Sequence, residues 1–225
     1  NQPEEDYLRA LNDRQTMGQH ESVSRFYENR IGRSMGFLRH IFPLCQEIVP
    51  HVLKDVSEKE FYEAVNQVKP SLIRTEADEF TYTFHIIIRY ELEKEIVNGK
   101  VCIQELPDRW NALYEKYLGV RPSNDREGVL QDVHWTDGFG YFPAYALGNM
   151  YNAMYYSRMK EDMDPEEKAE SGDFKVLNGW MKEHVFKEGN HLPPKDWIRH
   201  ITGRPFTSKD FLDYLEEKYG ALYEL

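Results

Sequence analysis

The helical periodicity of the segment from Thr75 to Val97 constrains the fold more than any other feature of the sequence. Its apolar residues recur three or four positions apart, the spacing of one helix face, and they are Ala77, Phe80, Phe84, Ile87, Ile88 and Leu92. Similar spacing continues through most of the chain, and no stretch alternates between apolar and polar residues over six positions. The sequence therefore predicts an all-α protein, and it indicates no domain boundary within residues 1–225.

A second stripe on the same predicted helix is polar. Asp78, Tyr82, His85, Arg89 and Glu93 also recur at three and four positions, so they share one face. A solvated helix face is the usual meaning of such a stripe, but Tyr82 and His85 beside a strongly apolar side favour partial burial. A buried Arg89 would then need a carboxylate partner.

Local signals predict where the other helices begin and end. Capping boxes at residues 16–19 and 57–60 predict two helix starts. The first apolar face is expected to continue as far as Pro43, because proline interrupts the hydrogen-bond ladder. A short acidic helix after Asp164 is expected to be exposed. Later helices are predicted over 144–159, 173–187, 194–201 and 208–219, and the last is expected to stop at Gly220.

Composition disfavours some classes of partner. The net charge of −11 and the pI of about 5.3 argue against a nucleic-acid backbone or an anionic membrane surface as a partner. The two cysteines, Cys45 and Cys102, lie far apart among apolar neighbours, so we expect reduced thiols in the core. No apolar run reaches transmembrane length and no signal peptide opens the chain, so we expect a cytoplasmic protein.

The segment from Gly128 to Pro143 concentrates polar and aromatic residues in a glycine-punctuated stretch, and these are Gln131, Asp132, His134, Trp135, Asp137 and Tyr141. Asp132 and His134 can orient each other, since a carboxylate can fix the tautomer of an imidazole. The alternative is a structural loop that turns the chain between two helices. The residues alone leave both interpretations open.

Two further residues carry chemistry that the sequence alone leaves ambiguous. Glu21 lies on the first predicted helix and can ligate zinc through its carboxylate, or it is an ordinary surface residue. Arg74 stands just before the long helix and can bind a terminal carboxylate through two parallel hydrogen bonds. Alternatively, Arg74 forms a local surface ion pair with Glu76 or Asp78.

These pieces occur together, in order, in one known family. Residues 20–25 (HESVSR), 73–78 (IRTEAD) and 128–135 (GVLQDVHW) match three of its sequence blocks, and the tail from residue 172 to residue 219 also matches. The chain resembles the carboxypeptidase Taq family of zinc metallocarboxypeptidases over essentially its whole length. One departure is Val23, where the family commonly has glutamine or glycine.

The resemblance implies a helical zincin-type fold and an enzyme that releases C-terminal amino acids from peptides. It implies zinc, or possibly cobalt, as the cofactor, peptides as substrates, and a homodimer. Glu21 would be the third metal ligand. By analogy with other helical zincins, the catalytic residues would be His134, Tyr141 and Tyr145. The residues expected to bind substrate are Arg74, Arg89, Gln131 and Asp132, with Asp132 also orienting His134 and Gln131 capping a backbone group.

The family's HExxH helix, which supplies two histidine ligands and the glutamate that activates water, is absent from the sequence. The family places that helix shortly before the HES block, whereas this chain opens with a polar stretch, residues 1–6. We therefore expect a C-terminal fragment that alone has little peptidase activity, weak zinc affinity and exposed apolar surface. An alternative from another class is a non-catalytic helical interaction or assembly module that uses the aromatic-rich helix at 144–156.

Overall fold

The structure of the protein is a computed structural model that describes residues 16–189 and 191–225. Regular structure in this part of the chain is entirely helical, which confirms the all-α prediction. The polar opening at residues 1–6 lies outside the described residues. The α-helices are α1 (Met17–Arg25), α2 (Met35–Ile48), α3 (Pro50–Leu53), α4 (Glu58–Val65), α5 (Glu79–Val97), α6 (Leu106–Leu118), α7 (Pro143–Asp162), α8 (Pro165–Glu170), α9 (Phe174–Met181), α10 (Pro194–Thr202) and α11 (Lys209–Tyr223).

The chain divides into two compact units. Unit 1 comprises Asn1–Val65 and Leu147–Leu225, and unit 2 comprises Asn66–Ala146. The prediction of one domain over residues 1–225 stays a prediction. Across the described residues, no helix has the length and apolar character needed to cross a bilayer.

In unit 1, the predicted capping box starts α1. The side-chain oxygen of Gln19 accepts the backbone N–H of Thr16 at 3.3 Å. The chain then continues as a π-helical turn, Phe26–Ile31, and restarts at α2. The expected stop at Pro43 is wrong, because α2 continues through this proline to Ile48. Proline removes one hydrogen bond from the ladder, and burial of the neighbouring Phe42 side chain holds the helix together.

The core of unit 1 forms around α7. The buried aromatic and methionine side chains of this helix pack on residues of the π-helical turn, α9 and α10, and they include Tyr151, Met154, Tyr155, Tyr156 and Met159. The Tyr155 hydroxyl donates to the carbonyl of Ser22 at 2.6 Å, which ties α7 to α1. Gly148 permits the close approach, since an added Cβ would lie 3.0 Å from the carbonyl carbon of Glu21.

In unit 2, α5 begins at Glu79, four residues later than the periodic pattern suggested. Residues Arg74–Glu76 form a 3₁₀ turn instead, and Asp78 caps the helix by accepting the N–H of Thr81 at 2.8 Å. The helix ends at Val97, where the periodic pattern also ends, and Gly99 beyond it adopts a positive φ of 63° that stops the helix. Helix α5 packs on α6 through a core that contains Ile88, Leu92, Trp110, Tyr114 and Leu118.

Three other local expectations are wrong. Helix α11 runs through Gly220 to Tyr223, because one glycine inside a helix costs only about 1 kcal/mol and Tyr219 is buried. Helix α8 is not a fully exposed acidic helix, since Pro165 and Ala169 are buried. The cysteines are free thiols but neither lies in the core: Cys45 is half-buried and Cys102 is exposed.

Candidate functional site

The polar stripe of α5 is buried, which confirms its predicted burial. The exposed fractions are 5% for Tyr82, 0% for His85, 0% for Arg89 and 4% for Glu93. On the apolar side, by contrast, Phe80 is 37% exposed. The polar stripe therefore forms one wall of a buried site inside unit 2.

Asp132 is the carboxylate partner that the buried Arg89 required. Its Oδ2 accepts from Nε of Arg89 at 2.5 Å, and its Oδ1 accepts from Nη2 of Arg74 at 2.9 Å. Nε of Arg74 lies 3.2 and 3.3 Å from the two carboxylate oxygens, and Nη1 donates to the Tyr82 hydroxyl at 3.1 Å. The side chains of Arg74, Arg89 and Asp132 are 7%, 0% and 9% exposed. The alternative that Arg74 forms a local surface ion pair is wrong. Arg74 is buried, and its carboxylate partner, Asp132, lies 58 residues further along the chain.

Gln131 locks this cluster to the backbone. Its amide nitrogen donates to the carbonyls of Leu72 and Glu127, each at 2.8 Å. Its amide oxygen accepts from the backbone N–H of Arg74 at 3.2 Å and from Nη2 of Arg89 at 3.1 Å. The expectation that Gln131 caps backbone groups is confirmed. Because the amide is fully used inside unit 2, its role in substrate binding stays a prediction.

Arg89 is also held on every side. Nη1 donates to the carbonyl of His85 at 2.9 Å and to the Tyr114 hydroxyl at 3.1 Å, and the guanidinium lies 4.6 Å from the ring centre of Trp110. With no exposed surface, this side chain is placed to orient Asp132. The geometry gives Arg89 a positioning role, and direct contact with a substrate stays a prediction.

The three predicted catalytic side chains lie together beside this cluster. Nε2 of His134 is 3.0 Å from the Tyr145 hydroxyl, and the His134 ring centre is 5.1 Å from that of Tyr141. Nδ1 of His134 lies 3.4 Å from Oδ1 of Asp132, without the geometry of a hydrogen bond. Asp132 is therefore placed to orient His134 electrostatically, and the catalytic roles themselves stay predictions.

Each of these residues comes from a different local structure. His134 lies on a 3₁₀ turn, Val133–Thr136, and Tyr145 on the first turn of α7. Tyr141 follows a loop in which Gly138 and Gly140 have φ values of 146° and 91°. Residues other than glycine rarely adopt these backbone φ values, so the two glycines are needed for the chain to turn here.

Burial and the two arginines set the charges of the cluster. Burial opposes the ionised form of Asp132, but hydrogen bonds from Arg74 and the charge of Arg89 outweigh it, so the Asp132 pKa lies below its usual range. Burial likewise opposes the charge of Arg74, and hydrogen bonds and attraction to Asp132 raise its pKa above the ordinary value. Burial, followed by repulsion from Arg74, lowers the pKa of His134. Burial, helped by repulsion from both arginines, lowers the pKa of His85 to about 3.

At neutral pH the cluster therefore carries one net positive charge. Two guanidinium groups share a single carboxylate, and both imidazoles are neutral. An excess positive charge beside a neutral imidazole and tyrosine hydroxyls can bind an anion and donate hydrogen bonds to a polarised oxygen.

Glu21, the predicted metal ligand, belongs to unit 1, whereas the other predicted site residues belong to unit 2. Its side chain is half-buried, and Oε2 accepts from the Ser24 hydroxyl at 2.9 Å. Among the described residues, no three His, Cys, Asp or Glu side chains form a group that could hold a metal ion. A catalytic zinc takes three protein ligands. These residues alone therefore do not form such a site, and Glu21 can contribute at most one ligand.

Sequence reasoning missed Tyr114. It was not among the predicted site residues, and its ring stacks on that of Trp110 with the ring centres 4.9 Å apart. Its hydroxyl, however, contacts both Arg89 and His85, each at 3.1 Å. A buried tyrosine usually finds a polar partner, but no pattern in the sequence indicates which one.

Comparison with known proteins identifies the class of enzyme. The chain is similar to solved all-helical carboxypeptidase structures, including the M32 carboxypeptidase from Deinococcus radiodurans R1, with a TM-score of 0.89 and 42% identity over 93% of this chain and 43% of that chain. The sequence profile described as Carboxypeptidase Taq (M32) metallopeptidase matches residues 1–219, and the chain belongs to this family.

Individual relatives agree with this assignment. The chain is 48% identical to carboxypeptidase 1 of Bacillus subtilis over 96% of this chain and 43% of the relative. It is 42% identical to thermostable carboxypeptidase 1 of Thermus thermophilus over 98% of this chain and 44% of the relative. The chain thus spans less than half the length of the curated relatives it matches. Membership places it in a family of hydrolases that use a metal cofactor.

Proposed function

We propose that this chain supplies the substrate-recognition and carbonyl-polarising groups of a zinc metallocarboxypeptidase that releases C-terminal amino acids from peptides. The observation that carries the proposal is the buried, net positive cluster of Arg74, Arg89 and Asp132 directly beside His134 and Tyr145. An exopeptidase of this kind must recognise a free α-carboxylate and a scissile carbonyl close to each other. The cluster offers one group of residues for each task.

Arg74 is the residue that we assign to the substrate carboxylate. Nε and Nη2 each bond to Asp132, and Nη1 bonds to Tyr82, which accounts for three of the five N–H groups of the guanidinium. One N–H on each terminal nitrogen is left over by these bonds. Two such donors match the two oxygens of a carboxylate. Asp132 would hold the guanidinium in place without neutralising the cluster.

His134, Tyr145 and Tyr141 are assigned to the carbonyl. The Asp132 carboxylate beside Nδ1 favours the single proton of neutral His134 on Nδ1, so Nε2 accepts from the Tyr145 hydroxyl. An oxygen on which negative charge develops would then compete with Nε2 for the hydroxyl proton. Tyr141 lies close enough to complete such a pair of donors, since its ring centre is 5.3 Å from that of Tyr145. Fixed donors of this kind stabilise the transition state more than the ground state.

Glu21 is assigned as one ligand of the zinc, with cobalt as an alternative metal of similar ligand preference. The remaining two ligands would come from protein other than the described residues, because these hold no three-ligand group. When bound, the metal supplies Lewis-acid polarisation of the carbonyl and activation of water. The chain on its own is then expected to bind zinc weakly and to release little amino acid.

The test of substrate recognition uses the complete gene product and an N-blocked dipeptide. Arg74→Lys is expected to lower kcat/KM by about 10- to 150-fold, the cost of losing one charged hydrogen bond. The same variant should change turnover of the matching C-terminal amide far less, because the amide has no carboxylate to bind. Arg109→Lys is the matched control, since Arg109 also forms a two-point pair, with Glu95, but is 49% exposed. Equal effects of the two substitutions would contradict the assignment of Arg74.

The test of the metal ligand compares zinc content in two variants of the complete gene product. Glu21→Gln is expected to lose most of its zinc and its activity. Glu28→Gln changes another carboxylate seven residues further along, which pairs with Arg25 at 2.7 Å, and it should retain both. Full zinc occupancy in the first variant would remove Glu21 from the ligand set.

The alternative function as a helical interaction module has less support. Its motivation was a free aromatic surface on residues 144–156, yet none of these residues is exposed. From Tyr151 to Tyr156 every residue is buried, and the large side chains belong to the core of unit 1. The homodimer, the peptide substrates and the cytoplasmic location stay predictions.

A further inference from the structure

We propose that Tyr114 is a positioning residue of this site, and that its hydroxyl fixes both the guanidinium of Arg89 and the tautomer of the buried His85. The hydroxyl oxygen lies 3.1 Å from Nη1 of Arg89 and 3.1 Å from Nδ1 of His85. None of these three side chains has exposed surface, so water does not compete for their hydrogen bonds. The direction of each hydrogen bond follows from the available protons.

Arginine can only donate, so the Tyr114 hydroxyl must accept from Arg89. Toward His85 there are two possibilities. If the hydroxyl donates to Nδ1, the hydroxyl proton is used and only the Nε2–H group of His85 lacks a partner among the described residues. If instead Nδ1–H donated to the hydroxyl, the hydroxyl proton would also lack a partner. Because unpaired buried polar groups are costly, the first arrangement is the more stable.

This arrangement requires His85 to be neutral, and the buried, positively charged surroundings of the ring keep it neutral. Burial, then repulsion from Arg89 and Arg74, lowers the pKa of His85 to about 3. The ring therefore stays neutral at physiological pH. It carries its one proton on Nε2, while Nδ1 accepts from Tyr114. A donor chain that runs from a cation through a hydroxyl to an imidazole is strengthened by mutual polarisation.

The consequence for the site passes through Arg89. With Nη1 held by Tyr114 and by the backbone of His85, Nε points to Asp132 and Nη2 to Gln131. Asp132 is in turn the group that orients Arg74. Tyr114 thus acts on substrate binding through two intermediate side chains. This last step rests on the proposed function, whereas the tautomer of His85 does not.

The first experiment reads the tautomer directly and needs no activity. In the chain labelled with ¹⁵N-histidine, two-bond proton–nitrogen correlations distinguish a protonated ring nitrogen from an unprotonated one. We expect His85 to show a protonated Nε2 and an unprotonated, hydrogen-bonded Nδ1 at neutral pH. A wild-type spectrum with the proton on Nδ1, or with averaged tautomers, would overturn the proposal even if no variant folded.

The second experiment removes only the hydroxyl. Tyr114→Phe should shift the tautomer equilibrium of His85 by about tenfold, the change expected from one lost hydrogen bond. The matched control is Tyr117→Phe on the same helix, whose hydroxyl donates to Glu91 at 2.7 Å; it should leave the His85 spectrum unchanged. An unchanged His85 spectrum in the Tyr114 variant, or equal shifts in both variants, would refute the positioning role.

The same pair of variants in the complete gene product separates positioning from a loss of folding. Tyr114→Phe is expected to raise KM for an N-blocked dipeptide by about tenfold and to change kcat by less than about twofold. A purely structural defect would instead lower the amount of active enzyme and leave KM unchanged. If the tautomer result holds but no dipeptide is cleaved by the wild type, the proposed function fails and the Tyr114 assignment stands.

Discussion

Replacing Asp132 with asparagine should destabilise unit 2 strongly, because this one carboxylate serves two buried cations. It accepts from Arg74 at 2.9 Å and from Arg89 at 2.5 Å, and all three side chains are at most 9% exposed. Asparagine has nearly the same shape, so the substitution removes charge without opening a cavity. The two guanidinium groups then remain buried without a counter-ion.

The size of the effect follows from this burial. Removing one partner of a buried ion pair costs about 3–5 kcal/mol. The asparagine oxygen still accepts one hydrogen bond, so we expect the lower end of that range, about 3 kcal/mol. That loss corresponds to roughly a 150-fold change in the ratio of folded to unfolded unit 2. An exposed pair of similar geometry contributes less than about 1 kcal/mol.

The assay is hydrogen exchange at the amides of α5 and α6, which reports the free energy of opening of unit 2 separately from unit 1. The control is Glu95→Gln, because Glu95 bonds to both Nε and Nη2 of Arg109 while the two side chains are 26% and 49% exposed. If Asp132→Asn and Glu95→Gln differ by less than about 1 kcal/mol, the burial argument is refuted.

Three further predictions test the pH dependence and the packing of the fold. The folded-state pKa of His85 is about 3, well below its unfolded value, so the unfolded state binds one more proton and stability falls as the pH drops below about 6. We expect His85 to contribute about 1.4 kcal/mol per pH unit to the fall in the free energy of unfolding between pH 6 and 4.5, and His85→Gln should reduce the measured slope by that amount in a pH series of urea titrations. Gly36→Ala should lower the free energy of unfolding by at least about 2 kcal/mol, because the added Cβ would lie 2.2 Å from the carbonyl oxygen of Glu166; an unchanged urea midpoint would contradict this close approach. Gly220→Ala, in a helix with open space at that position, should instead raise the unfolding free energy by about 0.5–1 kcal/mol in the same titration.

Much of the candidate site was predictable from the sequence, because residues three or four positions apart lie on the same face of a helix. The spacing of Tyr82, His85 and Arg89 identified one wall of the site, and the cost of burying Arg89 predicted a carboxylate partner. The identity of that partner was not predictable from spacing. Asp132 lies 43 residues beyond Arg89 in a segment without periodicity, so only the folded chain brings them together.

The errors in helix boundaries have a common physical cause. Pro43 and Gly220 both lower helix stability locally, by removing a hydrogen bond or by raising backbone entropy. In each case the helix continues, because the buried neighbours Phe42 and Tyr219 pack against the rest of unit 1. Proline or glycine inside a helix costs about 1–3 kcal/mol. Burial of one aromatic side chain stabilises the helix by a similar amount, and burial of neighbouring side chains stabilises it further.

The charge balance of the site is the strongest reason to regard it as functional rather than structural. Glu93 lies one turn beyond Arg89 and is also buried, so it is the nearest second carboxylate along the stripe. It does not neutralise the cluster: Oε2 accepts the N–H of Gly140 at 3.2 Å, and no ion pair with Arg74 or Arg89 forms among the described residues. Burial raises the Glu93 pKa, which disfavours its charged form further. A structural ion-pair network would be expected to balance its charges, since an unmatched buried charge costs folding free energy. The cluster around Asp132 retains one excess positive charge, and a site that binds an anionic ligand requires such a charge.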